Sequence, residues 1–231
     1  MKTSWYDSRG VDKNDPAYRG QTFYREWFLR IYDPVVLGFF AHKVWRCPTE
    51  IATAQYRRHI GARHLDIGPG TGYFLERAGL KPDSEVTLLD PNRTVLDYAA
   101  RRLAPRAVFT VEADVMKPLP IEGPFDSVAL NYVLHCLPGP IANKAVAVAN
   151  AAATLTPGGI LFGGTVLGSP DLHTRLSRFF LRAYNRQGAF DNLGDTEKDL
   201  TEILEASFES VATQVHGSVA LFVAAVPRRL K

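Results

Sequence analysis

The stretch Asp66-Ile67-Gly68-Pro69-Gly70-Thr71-Gly72 is the part of this 231-residue chain whose residue types and spacing point most directly to chemistry. Glycine lets a backbone turn tightly and come close to a ligand, and a helix starting after the loop offers unbonded N–H groups. The spacing separates the possible ligands. A dinucleotide fingerprint, Gly-x-Gly-x-x-Gly, needs its third glycine at position 73, where Tyr73 stands. A phosphate-binding loop needs Gly-Lys-Ser/Thr, which does not follow. What remains is an acid followed by glycines at alternate positions. A plain strand-to-helix turn also uses glycine, so the loop must be weighed in its context. Two cysteines, Cys47 and Cys136, are too few for a disulfide framework or a cysteine-based zinc knuckle.

The elements that must position this loop follow a strand, turn, helix rhythm. His64–Ile67 reads as a short apolar strand running into the glycines, with a helix from Tyr73. Val86–Asp90 is a second strand, followed by a helix capped at Asn92 and reaching about Leu103. Ala107–Glu112 and Phe125–Asn131 are the third and fourth strands. A helix over Ile141–Thr154 leads through the turn Pro157-Gly158-Gly159 into strand Ile160–Val166. Such alternation implies an α/β fold, doubly wound, whose mostly parallel sheet is covered on both faces. The rhythm then changes. Leu172–Arg186 is amphipathic, Asp195 and Thr196 offer N-caps for a helix ending near Ala206, and Val211–Val215 and Val219–Val226 flank His216-Gly217-Ser218. Two strands joined so briefly are antiparallel, and a mostly parallel sheet finished by such a hairpin would have seven strands in the order 3-2-1-4-5-7-6 with the last antiparallel.

Asp66 to Gly72 resembles motif I of the class I S-adenosylmethionine-dependent methyltransferases, and the similarity continues in order from about Arg63 to Pro227. It takes in Asp90 at the end of the second strand, Glu112-Ala113-Asp114-Val115 after the third, Asn131-Tyr132-Val133-Leu134-His135 after the fourth, and Leu155-Thr156-Pro157-Gly158-Gly159 before the fifth. The resemblance implies S-adenosylmethionine as cofactor and S-adenosylhomocysteine as product. It places Gly68, Gly70 and Gly72 under the methionine part and ribose, Asp90 on the ribose hydroxyls, and Pro91 and Asn92 against the adenine edge. Asp114 and Val115 would meet the adenine amino group, Asn131 would lie beside the methionine end, and Asp66 would orient the methionine ammonium. The residue chemistry agrees for Asp90, since one carboxylate can accept from two adjacent hydroxyls. In related enzymes an upstream basic or aromatic residue often touches the cofactor, which makes Arg46 a candidate partner for its carboxylate.

Methyl transfer from a sulfonium needs in-line positioning of a nucleophile and removal of its proton where one is present. His135 is the histidine placed near the methyl donor, and as a neutral imidazole it could serve as base. The competing reading is a loop histidine bonded to backbone. The fourth strand ends in Asn131-Tyr132-Val133 rather than Asn/Asp-Pro-Pro-Tyr, which argues against amines of nucleic acid or glutamine amides as acceptors. Magnesium-dependent catechol methyltransferases carry acids at the ends of the fourth and fifth strands; Asn131 and Gly163-Gly164-Thr165 stand there in this sequence, so by this comparison no metal is expected.

Ahead of the motifs, residues 21–56 are rich in aromatics at spacings of three and four, punctuated by Pro34 and Pro48 into two or three short helices. They read either as core or as a lid carrying Tyr24, Trp27 and Tyr32 toward the acceptor. The chain thus divides into a polar tail and helical lid, 1–60, and a Rossmann-like catalytic domain, 61–231. A formal net charge of +3 on dispersed basic residues is too small to call for nucleic acid or an anionic membrane. No run approaches the ~20 apolar residues of a membrane span, and the start is polar, so a cytoplasmic enzyme is expected. The activity implied is methylation of a small, aromatic or apolar metabolite on oxygen, nitrogen or sulfur. The alternatives are a cofactor-holding protein with another role, such as a regulatory subunit or pericyclic catalyst, and an enzyme that modifies macromolecules.

Overall fold

The computed structural model describes residues 26–121 and 123–228, so Tyr24 lies outside the described residues. Seven strands form one sheet: β1 (Arg63–Ile67), β2 (Glu85–Asp90), β3 (Phe109–Glu112), β4 (Phe125–Asn131), β5 (Leu155–Val166), β6 (Phe208–His216) and β7 (Val219–Pro227). Their order is 3-2-1-4-5-7-6, as expected from the sequence. β1 to β5 pair in parallel, and β7 runs antiparallel between β5 and β6. The helices are α1 (Glu26–Tyr32), which continues into a π-helical segment (Asp33–Val44), then α2 (Thr49–His59), α3 (Tyr73–Arg77), α4 (Arg93–Leu103), α5 (Ile141–Ala153), α6 (Arg175–Gln187) and α7 (Glu197–Glu205).

The two-residue period of a strand sends neighbours to opposite faces, and both faces here are buried. Leu88 of β2 packs with Leu75, Leu96 and Ala99, while Leu89 joins Leu130, Leu134 and Val148 on the other side. Truncating either leucine to alanine should cost about 2–5 kcal/mol. A third cluster ties the N-terminal segment to α6. Val44, Trp45 and Cys47 pack with Val166, Leu181 and Leu221, and Phe40, Phe180, Tyr184 and Phe190 close around them. Gly217 in the β6–β7 turn has φ 61°, and a Cβ there would meet Trp45 O at 2.2 Å. That close approach lets Ser218 N–H donate to Trp45 O at 2.9 Å, so the hairpin tip pins the end of the π-helical segment.

Several boundaries differ from the sequence expectation. Pro34 does not break the N-terminal helix; it falls in the first turn of the π-helical segment, where the register changes and a missing N–H is least costly. Pro157-Gly158-Gly159 lies inside β5, which begins at Leu155 and slips register against β4 between Phe125 and Ser127. β3 starts at Phe109 rather than Ala107. The helix expected from Leu172 starts at Arg175, where Thr174 caps it by accepting from Ser177 N–H. Thr196, not Asp195, caps α7. Asp195 instead receives the fully buried Lys144 ammonium of α5 at 2.6 Å, and Lys144 also donates to Asp191 O at 2.7 Å.

Candidate active site

A cleft of about 1150 Å³, counting its open mouth, lies across the carboxyl ends of β1, β2 and β4. β1 has β2 on one side and β4 on the other, and this is the crevice where doubly wound sheets hold ligands. The glycine loop forms its floor. Gly68, Gly70 and Gly72 are all left-handed, with φ 69°, 55° and 76°. At Gly70 a Cβ would meet no protein atom within 4 Å, so the constraint there is the backbone conformation and the cavity space a side chain would fill. Gly68 and Gly70 line the cleft together with Pro69 and Thr71, whereas Gly72 is set back as the first residue before α3.

On the β2 and β3 side stand Asp90, Pro91, Asn92, Asp114 and Val115. Asp90 Oδ1 accepts the Asn92 N–H at 2.7 Å, while Asn92 Oδ1 accepts from Thr94 N–H and caps α4. Burial pushes the Asp90 carboxyl up to about 7, against the Asn92 hydrogen bond and with the Glu112 charge adding to the rise. Asp114 Oδ1 accepts from Met116 N–H at 2.9 Å, and the Asn150 amide holds Val115 O at 2.8 Å.

On the β1 and β4 side, several buried polar atoms have no hydrogen-bond partner of ordinary geometry. They are His64 Nε2, Asp66 Oδ1, both amide atoms of Asn131 and the Tyr132 hydroxyl. Asp66 itself is 1% exposed, and its other oxygen accepts from Tyr56 Oη at 3.0 Å. Asn131 and Tyr132 line the cleft; Asp66 lies just beneath its lining. Orphaned groups concentrated in this way call for a polar ligand, since buried polar atoms are otherwise satisfied. Tyr132 also has φ 59°, a left-handed conformation that costs a non-glycine residue of order 1–3 kcal/mol and is found mostly at functional sites.

Aromatic and aliphatic side chains complete the walls. Tyr32 and Leu37 come from the N-terminal segment, Tyr56 from α2, and Tyr73 and Phe74 from the start of α3. Tyr56 stacks on Phe74 with centroids 5.3 Å apart, and Phe74 lies over Tyr132 at 6.3 Å. Leu37 and Tyr56 fall within the aromatic stretch 21–56 that reads as core or lid, although only Tyr32 of these is singled out there; Tyr73 and Phe74 follow the glycine loop with no motif of their own, and Tyr132 is marked only by its place beside Asn131. The N-terminal segment is fastened to the glycine loop by charge. Asp33 accepts from Thr71 Oγ1 and from Arg102 Nη1, each at 2.6 Å, and Arg102 also reaches Glu76 at 3.0 Å.

Three sequence candidates are placed elsewhere. Trp27 is 63% exposed and does not line the cleft. Arg46 is also outside it, exposed, with its guanidinium donating to Leu172 O. The reason is local: Arg46 turns through φ 57° against the hairpin tip, which aims its side chain along the surface toward Leu172. His135 is 4% exposed and absent from the cleft lining. Its Nδ1 accepts from Val166 N–H at 3.3 Å and lies 3.2 Å from Thr165 Oγ1, and its ring packs edge-on to Phe190 at 4.3 Å. Burial, with the Lys144 charge adding, pushes its pKa down to about 3. Among the described residues no three His, Cys, Asp or Glu side chains group in a way that could hold a metal ion, and no helix is long and apolar enough to cross a membrane.

A seven-stranded doubly wound sheet ending in an antiparallel hairpin, with an alternate-glycine loop and a strand-end acid in one crevice, defines the class. The chain belongs to the class I S-adenosylmethionine-dependent methyltransferases, as relatives 36% and 38% identical along most of its length show, and a methyltransferase domain family model matches residues 65–161. Among its relatives is the demethylluteothin O-methyltransferase of Streptomyces thioluteus, 38% identical over 205 residues that cover 88% of this chain and 89% of that protein. The N-methyltransferase vrtF of Penicillium aethiopicum is 36% identical over 222 residues, covering 94% and 92%. In the solved structures, the N-methyltransferase NodS of Bradyrhizobium japonicum WM9, in complex with S-adenosyl-L-homocysteine, shares the fold at TM-score 0.65 and 18% identity, covering 93% of this chain and all (100%) of that one.

Proposed function

We propose that this methyltransferase acts on a small, flat, largely apolar metabolite and not on nucleic acid or a protein side chain. The observation that carries the reading is the composition of the cleft on its β4 side, where Tyr32, Leu37, Phe74, Tyr132, Val133 and Leu137 leave room for a rigid apolar ring system. The relatives point the same way, since the demethylluteothin enzyme is named for a small-molecule O-acceptor.

The residues present fit the cofactor. Asp90 would accept from the two ribose hydroxyls, with Pro91, Asn92, Asp114 and Val115 around the adenine. Gly68 and Gly70 would pass beneath the ribose and methionine part, and the unpaired Asp66 Oδ1 and Asn131 amide would take its polar end. When bound, S-adenosylmethionine supplies an electrophilic methyl group on a good leaving group. The protein's contribution is then orientation and exclusion of water. The aromatic walls align the acceptor, and the N-terminal segment, latched through Asp33, acts as the lid that shields it. His135 is assigned to scaffolding, because its acceptor nitrogen is committed to the β5 backbone.

The test is a paired one. Calorimetric titration with S-adenosylhomocysteine should show binding, and labelled cofactor should transfer its methyl to members of a panel of phenols, hydroxy-heterocycles, amines and thiols. Transfer confined to RNA or protein substrates would overturn the reading.

A further inference from the structure

Methylating a hydroxyl requires that its proton go somewhere, and the cleft shows little that could take it. All six histidines of the chain fall within the described residues, and none lines the cavity. The two lining carboxylates, Asp90 and Asp114, stand at the ends of β2 and β3, across β1 from the aromatic pocket. The titratable groups left are Tyr32, Tyr56, Tyr73, Tyr132 and Cys136. Burial pushes the Cys136 thiol up to about 12, and burial with Cys47 and Tyr32 nearby holds the Tyr132 hydroxyl well above its usual range. Tyr56 already donates to Asp66, and Tyr73 lies under the Arg77 guanidinium at 3.8 Å. No lysine or arginine lines the cavity among the described residues. The pocket is thus rich in phenolic donors, and Tyr132 offers a buried hydroxyl that faces the Cys47 thiol, a weak hydrogen-bond acceptor.

We infer that the methyl acceptor is a hydroxyl acidic enough to enter already ionised, a phenol or vinylogous acid, and that the Tyr132 hydroxyl donates to its oxygen. This rests on the small-molecule reading above and narrows it. The acceptor's proton leaves to water before binding. In the cleft the oxygen lone pair forms the O–C bond as the S–C bond breaks; the oxygen's negative charge and the sulfonium's positive charge are both lost, giving a methyl ether and a thioether. No proton has to move inside the site. An amine would fit less well. It would finish as an ammonium whose one nearby carboxylate, Asp66, is committed to the cofactor's own ammonium, and a donating phenol compounds the mismatch.

The full-length chain can be tested with 4-nitrophenol, 4-cyanophenol, phenol, the matching nitro- and cyano-naphthols, and the corresponding anilines. With S-adenosylmethionine saturating at every pH, the expected acceptor kcat/KM profile rises with pH at each acceptor's own ionisation and moves from one acceptor to the next. A second readout needs no turnover. With S-adenosylhomocysteine bound, nitrophenol or nitronaphthol should show the visible absorbance of the anion at a pH where most of the free ligand is protonated. Tyr132→Phe should weaken that anion's binding by about tenfold or more while changing S-adenosylhomocysteine affinity less than about twofold. A rising limb fixed at one pH for every acceptor, ligands bound in the neutral form, or preference for anilines would overturn the inference while leaving small-molecule methylation standing. Methylation of macromolecules alone would bring down both.

Discussion

Asp90 carries two opposed duties, and that makes it the most informative single residue. Replacing it with alanine removes charge-assisted hydrogen bonds worth about 1.5–3 kcal/mol each, so S-adenosylhomocysteine should bind at least about tenfold more weakly to a protein that still folds. Its carboxyl is raised from 3.8 to about 7, so the ligand-free fold favours the protonated acid. The stability this group contributes is complete below the ordinary value and is lost as pH rises through about 7. Cofactor binding runs the other way, because the ionised carboxylate is the better acceptor for two hydroxyls. Melting curves with and without S-adenosylhomocysteine between pH 5.5 and 8.5, a range of about three units around that value, should therefore converge at the acid end. Asp90→Asn should flatten the ligand-free curve. A variant with unchanged affinity and unchanged pH slope would remove Asp90 from the site. His135→Ala should lower turnover by less than about tenfold, since a true base would cost ~10²-fold or more; its penalty should appear in the melting temperature, through the lost Val166 N–H acceptor.

At the scale of elements, the sequence was most legible where chemistry and backbone agree. The glycine loop, the acid ending β2, the Asn92 cap and the turn of the closing hairpin each leave a local pattern, so their positions were recoverable to a residue or two, whereas β6 starts at Phe208, three residues before the expected Val211. Pairs made across the fold leave none. Nothing near Lys144 marks it as a buried cation, and nothing near Asp33 marks it as the partner of Arg102, 69 positions on. Proline and glycine misled for the same reason: a change of helical register absorbs Pro34, and an irregularity in β5 absorbs Pro157-Gly158-Gly159. Both hidden pairs give predictions. Lys144→Ala leaves the Asp195 carboxylate buried and unpaired, which should destabilise the protein by about 3–5 kcal/mol, read as a loss of chemical-denaturation stability. Asp33→Asn should do much less to stability, because Arg102 and Asp33 are partly solvated. It should instead weaken S-adenosylhomocysteine binding by a few-fold, since the neutral amide no longer pairs with Arg102 and is a weaker acceptor for Thr71 of the glycine loop. Equal effects of the two substitutions on stability and on affinity would refute this division.

At the scale of the whole molecule, the question is whether the N-terminal segment completes the core or covers the site, and the structure divides it between the two. Leu29 and Leu37 are 1% and 7% exposed, and Val44 and Trp45 belong to the cluster that joins α6 and the hairpin. Tyr32 and Leu37 meanwhile line the cleft. The segment's far end is structural, and its near end both packs and faces the ligand. Removing residues 1–25 should leave the pinned part of the segment in place, whereas removal through residue 44 should also expose the Val166, Leu181 and Leu221 cluster and unfold the protein. Single substitutions separate the duties more cleanly. Trp27, exposed and outside the cleft, should leave acceptor KM changed less than about twofold when replaced by alanine. Tyr32→Ala should raise acceptor KM by about tenfold or more while lowering the melting temperature only modestly, because its half-buried ring lines the cleft. Tyr32→Phe keeps the wall and should recover most of that loss. Acceptor kinetics and melting temperature measured on the same three variants decide the matter: a fall in stability at Tyr32→Ala with KM untouched would return the whole segment to core packing.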